Sequence, residues 1–144
     1  MKKIGTLLLF VFISLNLFSQ KVIKSGTELV LKNLKDIDSE KLDEGDRVFF
    51  MLNADYFVDG KKVLRKGLEA IGTVNKSKES SLLGRGELKL SFDLLYLEDG
   101  RGIKLKGETD AKGTFSTFHL LTPKDPKIKK GNLFKVVVSE DFTL

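Results

Sequence analysis

The stretch Gly86-Glu87-Leu88-Lys89-Leu90-Ser91-Phe92-Asp93-Leu94-Leu95-Tyr96 decides how this chain is read. Leu88, Leu90, Phe92, Leu94 and Tyr96 recur at every second position across it. A period of two sends alternate side chains to opposite faces of an extended strand, so a long strand with one apolar face is predicted here. Downstream, Glu98-Asp99-Gly100 is a hairpin signal leading into Ile103-Lys104-Leu105-Lys106. Upstream, Leu68, Ala70, Gly72 and Val74 alternate with Glu69, Ile71 and Thr73. A second hairpin dipeptide, Asp59-Gly60, separates Tyr56-Phe57-Val58 from Lys62-Val63-Leu64.

The same pattern continues to both ends. Leu29 and Leu31 share one face of a strand, and Phe134, Val136 and Val138 share a face of the last long one, with Phe142 beyond. Val48-Phe49-Phe50-Met51-Leu52 is apolar throughout and predicts a strand buried on both faces. Helical periodicity is nearly absent; residues 39–42 form the one candidate turn. Glycines precede several strands (Gly26, Gly67, Gly86, Gly102, Gly131) at unequal spacings, which excludes a fixed-period solenoid or propeller. The expected fold is all-β, a small closed or partly open barrel of seven to nine mostly antiparallel strands, with a β-sandwich as the alternative. Gly72 and Gly107 lie where tight coiling of a barrel wants them. Residues 75–85, polar around Leu82-Leu83, read as an exposed loop. Residues 108–132 are too long for a plain loop, and 115–121 read as a further packed strand.

The N-terminus stands apart. Met1-Lys2-Lys3 is followed by an apolar run over residues 4–18. As a helix that run reaches about 22 Å, short of the roughly 30 Å of a bilayer core, but sufficient for a secretory signal. Ser19 then marks a cleavage point, with residues 1–20 a signal peptide and 21–144 one domain. The product is expected to be exported, periplasmic or secreted. The chain has no cysteine, so neither disulfides nor a lipidated cysteine hold it, and its core must do so alone. The formal charge of +5 is spread over alternating lysines and acids, the pattern of a solvated surface and not of a nucleic-acid site. The densest basic stretch, Lys124, Lys127, Lys129 and Lys130, has no interleaved ring for stacking. No nucleic-acid partner is expected.

Chemistry-bearing constellations are scarce. The single histidine, His119, lies in the apolar context Thr117-Phe118-His119-Leu120-Leu121, without a nucleophile-elbow motif. One histidine cannot build a zinc site. Asp36, Asp38, Glu40, Asp43, Glu44 and Asp46 cluster, yet they lack the glycine and terminal glutamate of a calcium loop. No catalytic residue, metal or cofactor is therefore expected, with a small hydrolase the weakest of the readings left open.

Read in order, the punctuating residues carry a resemblance. Ser25-Gly26-Thr27 precedes Leu29 and Leu31, and Gly45-Asp46 precedes Val48 and Phe50. Asp59-Gly60 leads to Val63-Leu64, Lys66-Gly67, Ala70, Gly72 and Val74. Gly86 precedes Leu88, Leu90 and Phe92, and Asp99-Gly100 precedes Ile103, Leu105 and Gly107. This order resembles a group of small exported bacterial β-domains. More distantly it is similar to the C-terminal β-barrel of TrbI-like core-channel proteins of conjugation and type IV secretion systems. The resemblance implies a barrel and a scaffolding role, with no catalytic residues to carry over. It does not extend to a channel, since no amphipathic helical pair is present.

The expected function is a non-catalytic envelope module that binds a protein partner or another envelope component, with peripheral membrane association open. Leu82, Leu83, Arg85, Phe115, Phe118 and His119 are its candidate contact residues. The alternative is a carrier of a small apolar ligand, held in the barrel interior by Phe50, Phe92, Tyr96 and Phe134.

Overall fold

Glu87 to Tyr96 forms a single ten-residue strand in the computed structural model, which describes residues 20–81, 84, 86–112 and 125–144. In chain order the strands are β1 (Val22–Ile23), β2 (Glu28–Asn33), β3 (Ile37–Asp38), β4 (Arg47–Leu52), β5 (Tyr56–Val58) and β6 (Lys61–Leu64). There follow β7 (Glu69–Lys78), β8 (Glu87–Tyr96), β9 (Gly102–Lys106), β10 (Glu108–Lys112), β11 (Lys127–Ile128), β12 (Leu133–Val138) and β13 (Phe142–Thr143). The main sheet runs β10-β8-β7-β4-β2-β12-β9, and a further β8–β9 pairing closes it. Six antiparallel strands thus form a closed barrel, with β10 added along the first half of β8. The barrel expectation is correct. Six of the seven strands of this sheet are those the alternation marked; the seventh, β10, lies in residues 108–132, where the sequence pattern marked a strand only at 115–121. The other strands are pieces of two to four residues.

Closure follows from how β8 is shared. Its second half pairs with β9, Leu95 opposite Ile103, while its first half pairs with β10, Leu90 opposite Thr109. Gly107 stands between β9 and β10, and its carbonyl accepts the Phe92 N–H at 3.1 Å. β9 then meets β12 through Val137–Lys106 and Val138–Leu105, completing the ring.

Two β-bulges modify the expected alternation. Gly72 pairs with Phe92 and Ile71 with Leu94, which leaves Asp93 as an extra residue on β8. Leu88, Leu90 and Phe92 point inward as expected, but beyond the bulge the inward residue is Leu95, fully buried, and not Leu94 or Tyr96. A one-residue insertion reverses every later side chain, and nothing in the local pattern announces it. The second bulge, at Asn75, lets β7 keep pairing as far as Lys78, so the loop read as 75–85 is shorter than expected.

β4 also departs from expectation. Val48, Phe50 and Leu52 face the interior, but Phe49 is 50% exposed, so the strand is a stave with one outer face and not a doubly buried centre. The Asp59-Gly60 turn is as predicted: φ is 50° at Asp59 and 74° at Gly60, the paired left-handed geometry of a two-residue hairpin. Short pairs close the rims. β1 pairs with β13, which joins the two ends of the domain, and β3 pairs with β11. Ile23, Ile37 and Ile128 are buried by these additions.

Candidate functional site

The interior comes first, because the alternative reading places a small apolar ligand there. Phe50 (β4), Phe92 (β8) and Phe134 (β12) all point inward and touch one another. Their ring centroids are 5.0 Å (Phe50–Phe92), 5.5 Å (Phe50–Phe134) and 5.4 Å (Phe92–Phe134) apart. These are tilted and edge-on contacts of the kind favoured by aromatic quadrupoles. The three rings occupy the middle of the barrel. Tyr96, past the Asp93 bulge, lies on the face opposite Leu95 and is half-buried. The candidate contact residues Leu82, Leu83, Arg85, Phe115, Phe118 and His119 lie outside the described residues.

The outer face of β4 carries a feature that sequence reading missed. The connection from β2 to β4, including β3, stands away from the sheet and leaves a groove of about 480 Å³ beside β4. Leu34, Ile37 and Leu42 line one wall, and Phe49 lines the other. Phe49 sits directly opposite Ile71 on β7, which in turn sits opposite Leu94 on β8, so an apolar row runs across three strands on the outside. The signal was present in Val48-Phe49-Phe50-Met51-Leu52, where a second apolar face was read as core. A barrel has only one inside, and the other face must meet something else.

Charged groups rim the groove. Lys35 and Asp36 stand on the wall formed by the connection, and Arg47 and Glu69 on the sheet side. Asp36 is engaged: its carboxylate accepts the Lys130 N–H at 2.7 Å and lies 3.4 Å from Lys127 Nζ. The Lys130 N–H, and then Lys127, hold its carboxyl below the ordinary value of 3.8. Lys127 also approaches Asp38, at 3.7 Å. Among the described residues Lys35, Arg47 and Glu69 have no ion-pair partner. Asp36 and Asp38 of the acidic run thus serve to dock β11 on β3.

These carboxylates set an acid limit on stability. Asp36 is joined by Asp141, held low by the Ser25 N–H and then Lys24, and by Asp55, held low by Lys62 and then the Lys66 N–H. Each has a depressed folded-state value, so its stabilisation is present above the unfolded value and is lost as pH falls through the folded one. Glu40 is the counter-example: its hydrogen bond to the Asp125 carboxyl raises it, so its contribution favours the fold at low pH and is lost as pH rises. The urea midpoint is expected to stay level from neutral pH to about 5 and to fall below about 4. Asp141→Asn should flatten that acid limb, and Glu40→Gln should raise the midpoint at pH 7. An acid limb unchanged by Asp141→Asn would contradict this assignment.

Neither a protein-family model nor a curated protein sequence matches the chain. Among solved structures, the barrel is similar to ComB10 of the Com type IV secretion system of Helicobacter pylori, with a TM-score of 0.52. The match covers 85% of this chain and 89% of that one at 14% sequence identity. The likeness to secretion-system core proteins read from the ordered motifs therefore holds at the level of the fold.

Proposed function

We propose that this protein is a non-catalytic assembly module of a bacterial cell envelope, exported by the signal peptide at residues 1–20 and engaging a protein partner. The observation that carries the reading is the barrel itself, whose fold is shared over most of both chains with a component of a secretion apparatus. Fold likeness is an associative argument and transfers no partner by itself. The outer groove supplies a physical place for the contact, since Phe49 stands half exposed on the outside of the barrel beside Leu34 and Leu42. Leu82, Leu83, Arg85, Phe115, Phe118 and His119 are proposed as further contact residues.

In-cell photo-crosslinking tests this directly. A photoreactive residue placed at Phe49 is expected to give a discrete protein adduct in the envelope fraction. The same residue at Lys61, exposed on the β5–β6 hairpin, should give none. Equal labelling from both positions, or none from Phe49 and the 82–85 region, would overturn the proposal.

A further inference from the structure

We infer that Gln20 is a modification site, a step that rests on the export reading above and sets its cleavage bond. Removal of the signal peptide between Ser19 and Gln20 makes Gln20 the N-terminal residue, and its side chain then closes on the new α-amine to give pyroglutamate.

Sequence and fold limit the bond from opposite sides. Signal cleavage wants a small residue just before the bond that is cut. Towards the end of the apolar run the small side chains are Ser14 and Ser19. A cut after Ser14 would leave Leu15, Leu17 and Phe18 on the exported chain, which favours Ser19. The fold sets the other limit. The Lys21 carbonyl accepts the Leu144 N–H at 2.8 Å, and Val22 and Ile23 pair with Thr143 and Phe142. Ile23 is fully buried, so a cut beyond Lys21 would remove residues the domain uses. Gln20 itself is exposed and has no hydrogen-bond partner among the described residues. The Ser19–Gln20 bond meets both limits; the next bond would put the long side chain of Gln20 where a small one is wanted.

A glutamine at a free N-terminus carries its own electrophile. The neutral α-amine attacks Cδ of the side-chain amide, the N–Cδ bond forms and the Cδ–Nε2 bond breaks. A proton of the amine leaves with Nε2 as ammonia. The lactam needs no oxidant, water or other co-reactant, whether the closure is unaided or enzyme-catalysed. An α-amine titrates at about 7.7–8.0, so a share of it is neutral at physiological pH. The surroundings favour the product. Gln20 lines a cleft of about 440 Å³ with Lys21, Lys24 and Lys61, against the carboxylate of Asp59. Lys24 pairs with Asp141 at 3.3 Å, but Lys21 and Lys61 have no ion-pair partner among the described residues. A terminal ammonium would add a further positive charge there, and the lactam adds none. With no free amine for an aminopeptidase to grip, trimming also stops short of Lys21 and the carbonyl that holds the Leu144 N–H.

The test is intact-mass and N-terminal analysis of the protein isolated from the cells that make it. The chain is expected to begin at Gln20 and to weigh one ammonia less than residues 20–144. Stepwise N-terminal sequencing should fail until a pyroglutamyl peptidase exposes Lys21. A glutamate-specific protease, cutting after Glu28, releases residues 20–28, the peptide in which the loss should be found. Gln20→Ala, a change at an exposed position, should be cut at the same bond and keep a free amine. A free amine on Gln20, a mature chain that starts at any other residue, or an equally blocked terminus in Gln20→Ala overturns the inference and leaves the export reading standing. A chain that retains residues 1–19 removes the export reading itself, and the modification with it.

Discussion

Truncating Phe50 to alanine is expected to cost about 3–5 kcal/mol of unfolding free energy, the range for deleting a buried ring. Phe50 is fully buried, the most enclosed of three rings that all contact one another at 5.0–5.5 Å. It sits on β4, between β2 and β7, so the space it vacates is walled by hydrogen-bonded strands that cannot collapse inward without breaking their ladders. Domains of this size have about 5–15 kcal/mol in total, so the variant should lie close to the folding threshold. Phe49→Ala is the internal control, because the neighbouring ring on the same strand faces outward. Its expected cost is below about 1 kcal/mol, as for a substitution at a surface position. Urea unfolding of both variants measures the contrast. Equal losses would mean that the two rings are not on opposite faces of β4, and the barrel interior described above would be wrong.

Gly72→Ala is expected to be damaging for the opposite reason, excess volume. A Cβ at position 72 would collide with the Ser91 carbonyl oxygen and lie 3.1 Å from Phe50 Cε2. The first contact is with backbone of the neighbouring strand, so relief requires β7 and β8 to separate at the centre of their pairing. Overpacking typically costs 1–3 kcal/mol, and a backbone clash places this substitution at or above about 3 kcal/mol. The double variant Gly72→Ala with Phe50→Leu discriminates between the two contacts. Shrinking the ring relieves only the Phe50 contact, so stability is not expected to recover. Recovery would show that ring crowding, and not the approach of the two strands, is what excludes a side chain.

Both effects bear on how much of this molecule can be read from its residues. The alternation in Leu88-Lys89-Leu90-Ser91-Phe92 marked a strand and its inward face correctly, because a period of two is a local property of an extended chain. The same alternation misassigned Leu94 and Tyr96. The bulge at Asp93 arises between two paired strands, and there Asp93 accepts a hydrogen bond from Thr73 Oγ1 on β7 at 2.6 Å. The partner that accommodates the extra residue lies twenty positions away. For the same reason the β1–β13 and β3–β11 pairs were invisible: two-residue strands carry no periodicity and exist only because a partner lies beside them.

The groove was half legible. Val48-Phe49-Phe50-Met51-Leu52 shows the apolar run from which Phe49 comes, but the pattern alone does not say which of its faces lies outside. Phe49 was assigned to a second buried face, although in a closed barrel only one face of a stave is inside. Lys127, Lys129 and Lys130 gained a location only through the register of β11 on β3, which puts Ile128 against Ile37.

By itself, then, the order of residues marked the longer strands other than β10, the hairpin at Asp59-Gly60 and the all-β class, and it favoured a barrel over a sandwich. Those follow from side-chain periodicity and backbone conformational preference, which act over a few neighbouring positions. Only the tertiary structure decided that six strands close the ring, that Phe50, Phe92 and Phe134 fill its centre, and that Phe49 and Arg47 face a groove outside. Those depend on register between strands distant in the chain, where a single extra residue exchanges inside for outside and no local pattern records which exchange occurs.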